Sequence, residues 1–491
     1  MRTTPARLLP SLLPGLALAL LLGCGGSNES PKADPPPPPL QAGAYAIYTQ
    51  TMTSGAGTAT VLHAVTEDGT RDTALATFTG LGGSWAGRSG DRLIYSEQVG
   101  ATDTTELWRH LSIRLDGLGK TLLSGTSTDW NGNVLIAGSR AILQKGSTGE
   151  LYTVPVDGSR PPEPFSLPGR YASTLETLGD GVLYQEQTEV PGTDAIRFRP
   201  ADASAGPVTL YLRTATAQET FRGVFGDRVL YSTNTTLGSV RLDGTGAKLL
   251  ATVPRFLGYL GVTGSQVVYT QFLGPASELW TVPLDGATAP FALDATPGVQ
   301  SFNSPVGTAL ADGGRLVYGR IDLATPTRSD LFSVPLAGGT PRKLTSLAEN
   351  ELPKAVLDGQ AFFQITVGGS GMNQDLYRVP LDGSAPEAPM GQTPQLEMFL
   401  GLLDGRLLFF RRFDDREELR SMAADGGDER LLATSPASQA GRPWAGILQG
   451  RVYVYLEGPA GAFRLASLRA DGTDLRNLVT TPTDLTFEGV L

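Results

Sequence analysis

Few side chains in this chain have the chemistry of a catalytic or metal-binding residue. The 491 residues include two histidines, His63 and His110, and a single cysteine, Cys24. A zinc site of the usual composition needs more cysteine and histidine ligands than these three residues supply. The sequence therefore predicts no metal site, and each histidine is interpreted as a strand residue.

Motifs for phosphate binding and nucleophilic catalysis are incomplete or missing. Residues 117–121, GLGKT, match the end of a phosphate-binding loop. They lack its first glycine at the required spacing, and they follow an Asp-Gly turn instead of opening a helix. The chain contains no Gly-x-Ser-x-Gly elbow. We therefore predict no catalytic residue and no cofactor.

A run of mixed charge, RRFDDREE at 411–418, is the strongest candidate for a contact surface. The favoured interpretation is a solvated loop between two strands, and the alternatives are a calcium site or a partner contact. The residues selected as candidate partner contacts are Arg411, Arg412, Asp415 and Arg416.

These residues lie within a repeat that extends over most of the chain. Each copy contains an apolar run such as GDRLIY (90–95), then a second run such as LYTVPVDG (151–158), which ends in an Asp-Gly pair. The anchors are 41 to 52 residues apart, which is about the length of a four-stranded propeller blade. Asp-Gly between apolar runs predicts a hairpin turn, since glycine accepts positive φ without strain and aspartate tolerates it. The Asp-Gly anchors begin at Asp68, Asp116, Asp157, Asp243, Asp285, Asp382, Asp425 and Asp471, and degenerate copies begin at Asp202 and Ala337.

One copy, 396–433, contains four strands, which we name a to d from the hub outward. Strand a has its own signature, an aromatic residue two positions before a glycine, as in Trp85 and Gly87 or Phe399 and Gly401. A glycine beside a large ring is interpreted as a packing device in the crowded hub.

The two ends of the repeat region complement each other. The chain stops at FEGVL (487–491), which matches a strand a, and AYAIYT (44–49) near the other end matches a strand b. We therefore predict that blade 1 combines strand a from the C-terminus with strands b, c and d from the N-terminus, which closes a ring. The fold prediction is an all-β propeller of about ten blades, with two five-bladed propellers in series as the alternative.

Strings such as LFSVPLAGGTPRKLTS (331–346) resemble the WD-like propeller repeats of TolB and of the non-catalytic domains of prolyl oligopeptidases. The resemblance covers nearly the whole repeat region. It implies a propeller fold, and it does not imply the partners of TolB.

The N-terminal residues predict export and lipid attachment. Residues 1–23 contain two arginines, an apolar run and small residues, which is typical of a signal peptide. Leu21-Leu22-Gly23-Cys24 looks like a bacterial lipobox, so Cys24 is the predicted lipid attachment site. The alternative is a soluble secreted protein with a chance cysteine. Gly25 follows instead of an inner-membrane retention aspartate, which favours the outer membrane.

The remaining domains are a Pro-rich tether at 24–43 and the propeller at 44–491. Five consecutive prolines make the tether an extended spacer. Removal of residues 1–23 takes away two arginines and no acid, which changes the net charge from −10 to −12. Such a charge disfavours binding to nucleic acid or to an anionic lipid surface.

Two functional hypotheses remain open. The first is a non-enzymatic envelope propeller that binds a protein or glycan partner, and the second is a hydrolase or lyase that uses carboxylates at the mouth of the ring. Binding residues concentrate on loops held by a rigid scaffold. The b-to-c and d-to-a connections vary most between copies, so we place the binding site there; the most variable segments are 97–106, 185–194, 320–330, 366–375 and 411–418.

Overall fold

The computed structural model describes residues 45–490 except for the short segments 55–56, 80–81, 102–105, 126–128, 215–218, 275, 302–309, 322–327, 368–372, 392, 437–443, 458–461 and 482–484. Every regular element in these residues is a β-strand. The strands form ten four-stranded antiparallel blades in a ring, so the chain is a ten-bladed β-propeller, as predicted. The predicted signal peptide, Cys24 and the tether lie outside the described residues.

Within the described ranges, no helix has the length and apolar character that a membrane span requires.

The first five blades each contain strands a, b, c and d in order from the hub. Blade 1 consists of β40 (Leu485–Val490), β1 (Tyr45–Ser54), β2 (Gly57–Thr66) and β3 (Asp72–Thr79); blade 2 of β4 (Gly83–Ser89), β5 (Arg92–Ala101), β6 (Glu106–Arg114) and β7 (Thr121–Leu122); blade 3 of β8 (Trp130–Ala137), β9 (Arg140–Lys145), β10 (Leu151–Pro155) and β11 (Glu163–Pro164); blade 4 of β12 (Ala172–Leu178), β13 (Gly181–Gln187), β14 (Thr193–Pro200) and β15 (Val208–Thr214); blade 5 of β16 (Thr220–Phe225), β17 (Arg228–Ser232), β18 (Thr236–Arg241) and β19 (Lys248–Thr252).

The other five blades follow the same order. Blade 6 consists of β20 (Phe256–Thr263), β21 (Gln266–Phe272), β22 (Ser277–Pro283) and β23 (Phe291–Ser301); blade 7 of β24 (Ala311–Asp312), β25 (Arg315–Ile321), β26 (Ser329–Pro335) and β27 (Arg342–Lys343); blade 8 of β28 (Glu351–Leu357), β29 (Gln360–Val367), β30 (Asn373–Pro380) and β31 (Ala388–Pro389); blade 9 of β32 (Leu396–Leu403), β33 (Arg406–Arg412), β34 (Arg416–Ala423) and β35 (Arg430–Pro436); blade 10 of β36 (Trp444–Leu448), β37 (Arg451–Glu457), β38 (Phe463–Leu468) and β39 (Arg476–Thr481).

The ring closes through the two ends of the repeat region, as predicted. β40 pairs antiparallel with β1, from Ala46 opposite Val490 to Gln50 opposite Leu485. The closing blade packs on its neighbours: the rings of Tyr453 and Phe487 stack 4.7 Å apart between blades 10 and 1. Closure leaves no inner strand of blade 1 without a partner, which protects an edge that would otherwise be open.

Apolar clusters between neighbouring blades establish one ring of ten. Leu237 and Leu250 of blade 5 pack with Val267 and Tyr269 of blade 6. Two separate five-bladed rings would instead close blade 5 against blade 1 and blade 6 against blade 10. The alternative of two propellers in series is therefore wrong.

Blades 6 and 7 are joined into one continuous sheet. β23 begins as strand d of blade 6, and its end, Val299 to Ser301, pairs with β25 of blade 7. β24 supplies the remaining described part of the inner strand of blade 7, where Ala311 lies opposite Leu316. This arrangement accounts for the longest step in the repeat, from Asp285 to Ala337.

The Asp-Gly turns form as predicted, but aspartate has a different role from the one expected. Gly69 has φ 71°, and positive φ recurs at the other turn glycines, whereas the anchor aspartates do not have positive φ. Asp68 Oδ1 accepts a hydrogen bond from the N–H of Thr70 at 3.0 Å. Asp157 and Asp382 accept the same bond from Ser159 and Ser384. The aspartate therefore caps the turn with its side chain.

The aromatic-x-glycine signature of strand a marks a β-bulge. The register of β4 and β5 shifts between Trp85 and Gly87, and Gly87 has φ 145°. The same shift occurs between Phe399 and Gly401. A Cβ at Gly87 would lie 3.0 Å from Ile136 of the next blade. The glycine thus permits both the bulge and the close approach of the next inner strand, which confirms the packing role and adds the bulge to it.

Candidate partner-binding face

The strand order gives the ring two faces with different properties. The a-to-b and c-to-d turns lie on one side, which we call the turn face, and the b-to-c and d-to-a connections lie on the other, which we call the loop face. On the turn face, the turn glycine of eight blades packs against strand d of the preceding blade; these glycines are Gly69, Gly117, Gly158, Gly244, Gly286, Gly338, Gly383 and Gly472. A Cβ at Gly158 would lie 2.2 Å from Thr121, and one at Gly69 would lie 2.1 Å from the carbonyl oxygen of Asn477.

A second repeated contact also lies toward the turn face. An arginine at the start of strand b donates to a serine on strand c, and that serine donates to a carbonyl of the next blade. Arg92 Nε lies 3.0 Å from Ser112 Oγ, which lies 2.5 Å from the oxygen of Val156. Arg315, Ser333 and Leu381 repeat the arrangement. Residues of the turn face therefore make the contacts that join neighbouring blades.

The predicted contact residues lie on the loop face, at the ends of two strands of blade 9. Arg411 and Arg412 end β33, and Arg416 begins β34, so only a short turn separates them. The side chains of Arg412, Asp415 and Arg416 are exposed. The side chain of Arg411 is only 7% exposed, and this burial removes it from the set of surface contacts.

Arg411 belongs to a chain of charges on blade 9. Its guanidinium lies 2.8 Å from Glu397 Oε1 and 2.7 Å from Glu429 Oε1. Arg420 also pairs with Glu429, at 2.5 Å, and with Glu418 at 2.7 Å. Glu418 in turn accepts from Arg416. The run of mixed charge is therefore a connected network whose buried end stabilises the blade and whose exposed end reaches the loop face.

Two buried glutamates near the loop face have raised pKa values. Burial raises the pKa of Glu397 to about 7, although the Arg411 guanidinium opposes the shift. Burial likewise raises the pKa of Glu351 to about 7, against hydrogen bonds from the Thr345 hydroxyl and the Leu331 N–H. Glu351 contacts blade 7, whereas Glu397 is bound to Arg411 within blade 9. Each carboxylate thus has a local structural partner, and the two do not share one site.

Both histidines are held by neighbouring side chains. His63 Nδ1 lies 3.1 Å from Asp72 Oδ1, and its ring stacks on Tyr48 at 4.7 Å. His110 is fully buried, with Nδ1 2.9 Å from Ser96 Oγ, and burial lowers its pKa to about 4. These contacts agree with the interpretation of both residues as structural strand residues.

Among the residues that the structure describes, no three His, Cys, Asp or Glu side chains are grouped so that they could hold a metal ion. GLGKT lies on the turn face: Gly117 belongs to the Asp116 turn, and Thr121 begins β7.

A groove of about 690 Å³ opens on the loop face of blade 4, one of the segments selected for its variability. The described residues that line it come from the b-to-c hairpin and the end of strand d: Gln187, Thr188, Val190, Pro191, Gly192, Thr193, Asp194, Arg213 and Thr214. Sequence reasoning did not identify this groove, because the charged residues that face it are 19 positions apart in the chain.

No protein-family model and no curated protein matches the chain. Among solved structures, it is similar to the β-propeller domain of the Trilobed protease from Pyrococcus furiosus, with a TM-score of 0.32 and 11% identity over 72% of this chain and 98% of that domain. It is also similar to a putative TolB from Agrobacterium tumefaciens, with a TM-score of 0.28 and 16% identity over 58% of this chain and 93% of that one.

A prolyl endopeptidase is similar with a TM-score of 0.37 and 11% identity over 79% of this chain. The match covers 54% of that enzyme, so this chain corresponds to about half of its length.

Proposed function

We propose that this protein is a non-enzymatic β-propeller of the bacterial cell envelope that binds a protein or glycan partner through its loop face. The observation that carries the proposal is the difference between the two faces. On the turn face, repeated glycine contacts and Arg-Ser contacts join neighbouring blades. The loop face has connections that differ from blade to blade, and it offers the exposed charges of blade 9 and the groove of blade 4.

The surroundings of the carboxylates favour binding over catalysis. A hydrolase or lyase at the mouth of the ring would need acids that converge on one substrate. Glu351 and Glu397, the two glutamates whose pKa values are raised to about 7, instead accept hydrogen bonds in separate places.

The proposal includes attachment to the membrane, most simply the outer membrane, through a lipid on Cys24. It rests on the Leu21-Leu22-Gly23-Cys24 motif, on the absence of any other cysteine in the sequence, and on the Pro-rich tether that follows. Two or more acyl chains give stable attachment. We expect Cys24→Ser to abolish incorporation of labelled fatty acid and to release the protein from the membrane fraction. Label that persists on the Cys24→Ser protein would contradict the proposal.

Affinity capture from solubilised envelope tests the binding function. The full chain is compared with a loop-face variant, Arg412→Ala, Asp415→Ala and Arg416→Ala combined. The matched control combines Thr288→Ala, Ser384→Ala and Gly427→Ala beside the Asp-Gly turns. We expect the loop-face variant to lose the captured partner and the control to retain it. Loss in the control alone would overturn the assignment of the face.

A further inference from the structure

The groove of blade 4 contains a row of polar side chains that the fold brings together. Gln187 of β13 lies directly opposite Asp194 of β14, and Asp194 lies directly opposite Arg213 of β15. Residues directly opposite each other in antiparallel strands project from the same face of the sheet. Gln185 shares this face because it lies two residues before Gln187. The groove therefore has an amide, a carboxylate and a guanidinium in one line.

The charged pair in this row is held apart. Opposite charges in direct cross-strand register ordinarily interact with each other. Here, among the described residues, Asp194 and Arg213 are joined through Gln185 instead: Gln185 Nε2 donates to Asp194 Oδ2 at 2.6 Å, and Arg213 Nη1 donates to Gln185 Oε1 at 3.2 Å. This relay orients both charged groups and uses only one atom of each. Asp194 Oδ1 and the other guanidinium N–H groups remain able to bind a ligand.

The tip of the hairpin adds apolar side chains to the lining of the groove. Val190 is 62% exposed at the tip of the hairpin, and Pro191 follows it in the lining. The described lining contains one acid and one base, so the groove has no net charge. Its volume lies within the range of about 300–1,000 Å³ that is common for small-ligand sites. A neutral ligand that combines a polar edge with an apolar face is complementary to these walls.

We propose that this groove binds a neutral saccharide unit of a glycan. A hydroxyl group both donates and accepts, so two adjacent hydroxyls can donate to Asp194 and accept from Arg213 at the same time. The C–H face of the sugar then packs on Val190 and Pro191. This inference rests on the proposed binding function and names the ligand class for it.

An extended peptide fits the groove less well. Peptides that add to a sheet pair with the free backbone of an edge strand. The groups in this groove are side chains, and the backbones of β13 and β14 are already paired on both sides. Only the outer edge of β15 has a free backbone, and the side chains of the row project from the face of the sheet, not from that edge. Peptide binding is therefore the competing outcome of the test.

The test exposes the detergent-solubilised full chain to an array of neutral hexose and N-acetylhexosamine oligosaccharides, and in parallel to an array of extended peptides. Affinities for any bound saccharide are then measured with Asp194→Asn, Arg213→Gln and Gln187→Ala. Gln187 is exposed, so its replacement does not threaten the fold. Asp227→Asn and Arg241→Gln serve as controls. These substitutions change the same charges in an exposed pair on the turn face of the next blade.

We expect the affinity for the saccharide to weaken at least about tenfold in Asp194→Asn and in Arg213→Gln, because each variant loses a charge-assisted hydrogen bond. The affinity should be unchanged in the controls. Binding of peptides alone, no saccharide binding up to millimolar concentration, or equal losses in the controls would overturn the inference. If envelope capture succeeds while the saccharide arm fails, the proposed function stands without it; if capture also fails, the proposed function falls as well.

Discussion

Removal of the closing strand should open the ring at blade 1. Deletion of residues 485–491 takes away β40, and with it the five registered pairs that join β40 to β1. Burial of a side chain such as Leu485 contributes about 1.5–3 kcal/mol, the stack of Phe487 on Tyr453 contributes about 0.5–1.5 kcal/mol, and each ladder hydrogen bond contributes about 1 kcal/mol. With the lower ends of the two side-chain contributions and only two ladder hydrogen bonds, blade 1 loses roughly 4 kcal/mol of local stability, which is the minimum that we expect.

Hydrogen exchange measured by mass spectrometry is the appropriate assay, because it reports the local opening of each strand separately. Since each 1.4 kcal/mol corresponds to a factor of ten, amide protection in β1, β2 and β3 should fall roughly a thousandfold. Protection in blade 5 should be unchanged.

The single substitution Phe487→Ala should reproduce part of this effect. Phe399→Ala, which removes the equivalent ring from blade 9, should leave the protection of blade 1 intact. Unchanged exchange in β1 after deletion of β40 would refute the closure argument.

Three further predictions concern two seams between blades and the charge network within blade 9. Gly69→Ala should destabilise more than Gly90→Ala, as measured by denaturant unfolding: both glycines have positive φ, a strain of about 1–2 kcal/mol for alanine, but a Cβ at Gly69 also meets Asn477 while one at Gly90 meets nothing within 4 Å. Arg411→Met should cost about 3–5 kcal/mol because it leaves Glu397 buried without its cation, whereas Arg412→Met should cost less than about 1 kcal/mol; equal costs would contradict the assigned network. Glu351→Gln should remove a pH dependence of the free energy of unfolding. The pKa of Glu351 in the folded state, about 7, lies above the ordinary 4.5, so the wild-type protein should lose roughly 3 kcal/mol of stability as the pH rises from about 4.5 to 7. A free energy of unfolding that falls as steeply with pH in the variant as in the wild type would contradict this prediction.

The sequence predicted the ring because its signals are local and repeated. An Asp-Gly pair specifies a turn through the backbone of its glycine and the side chain of its aspartate. Eight such pairs and two degenerate copies in one phase specify the blades. The complementary ends, FEGVL and AYAIYT, then predicted the pairing of β40 with β1, which the register confirms. The serine four residues before the Asp-Gly aspartate, as in Ser112 and Asp116, was also visible as a repeat, but its contact with the next blade depends on packing.

The candidate site was less predictable because it depends on which side chains face each other. Arg411 and Arg412 are adjacent in the sequence, yet one is buried against Glu397 and the other is exposed beside Glu417. Alternation cannot separate them, since the strand they end, RLLFFRR, is apolar at consecutive positions and is buried on both faces over most of its length. Likewise, Asp194 and Arg213 meet only because of the register of β14 with β15.

The contacts at the hub explain why the closing strand can complete the ring instead of only covering an edge. Around the hub, a bulge glycine of one blade receives a large side chain from the next: Gly87 faces Ile136, and Gly401 faces Ile447. β40 supplies both halves of this contact, since Phe487 lies 3.7 Å from the Cβ position of Gly446 in blade 10, and Gly489 faces Trp85 of blade 2. The aromatic residue and the glycine of FEGVL therefore contact blade 10 and blade 2 in the way that Gly87 and Gly401 contact the blades that follow them. Ring closure thus uses the same hub contact as the seam between blades 2 and 3 and the seam between blades 9 and 10, and it uses no residue of the loop-face connections.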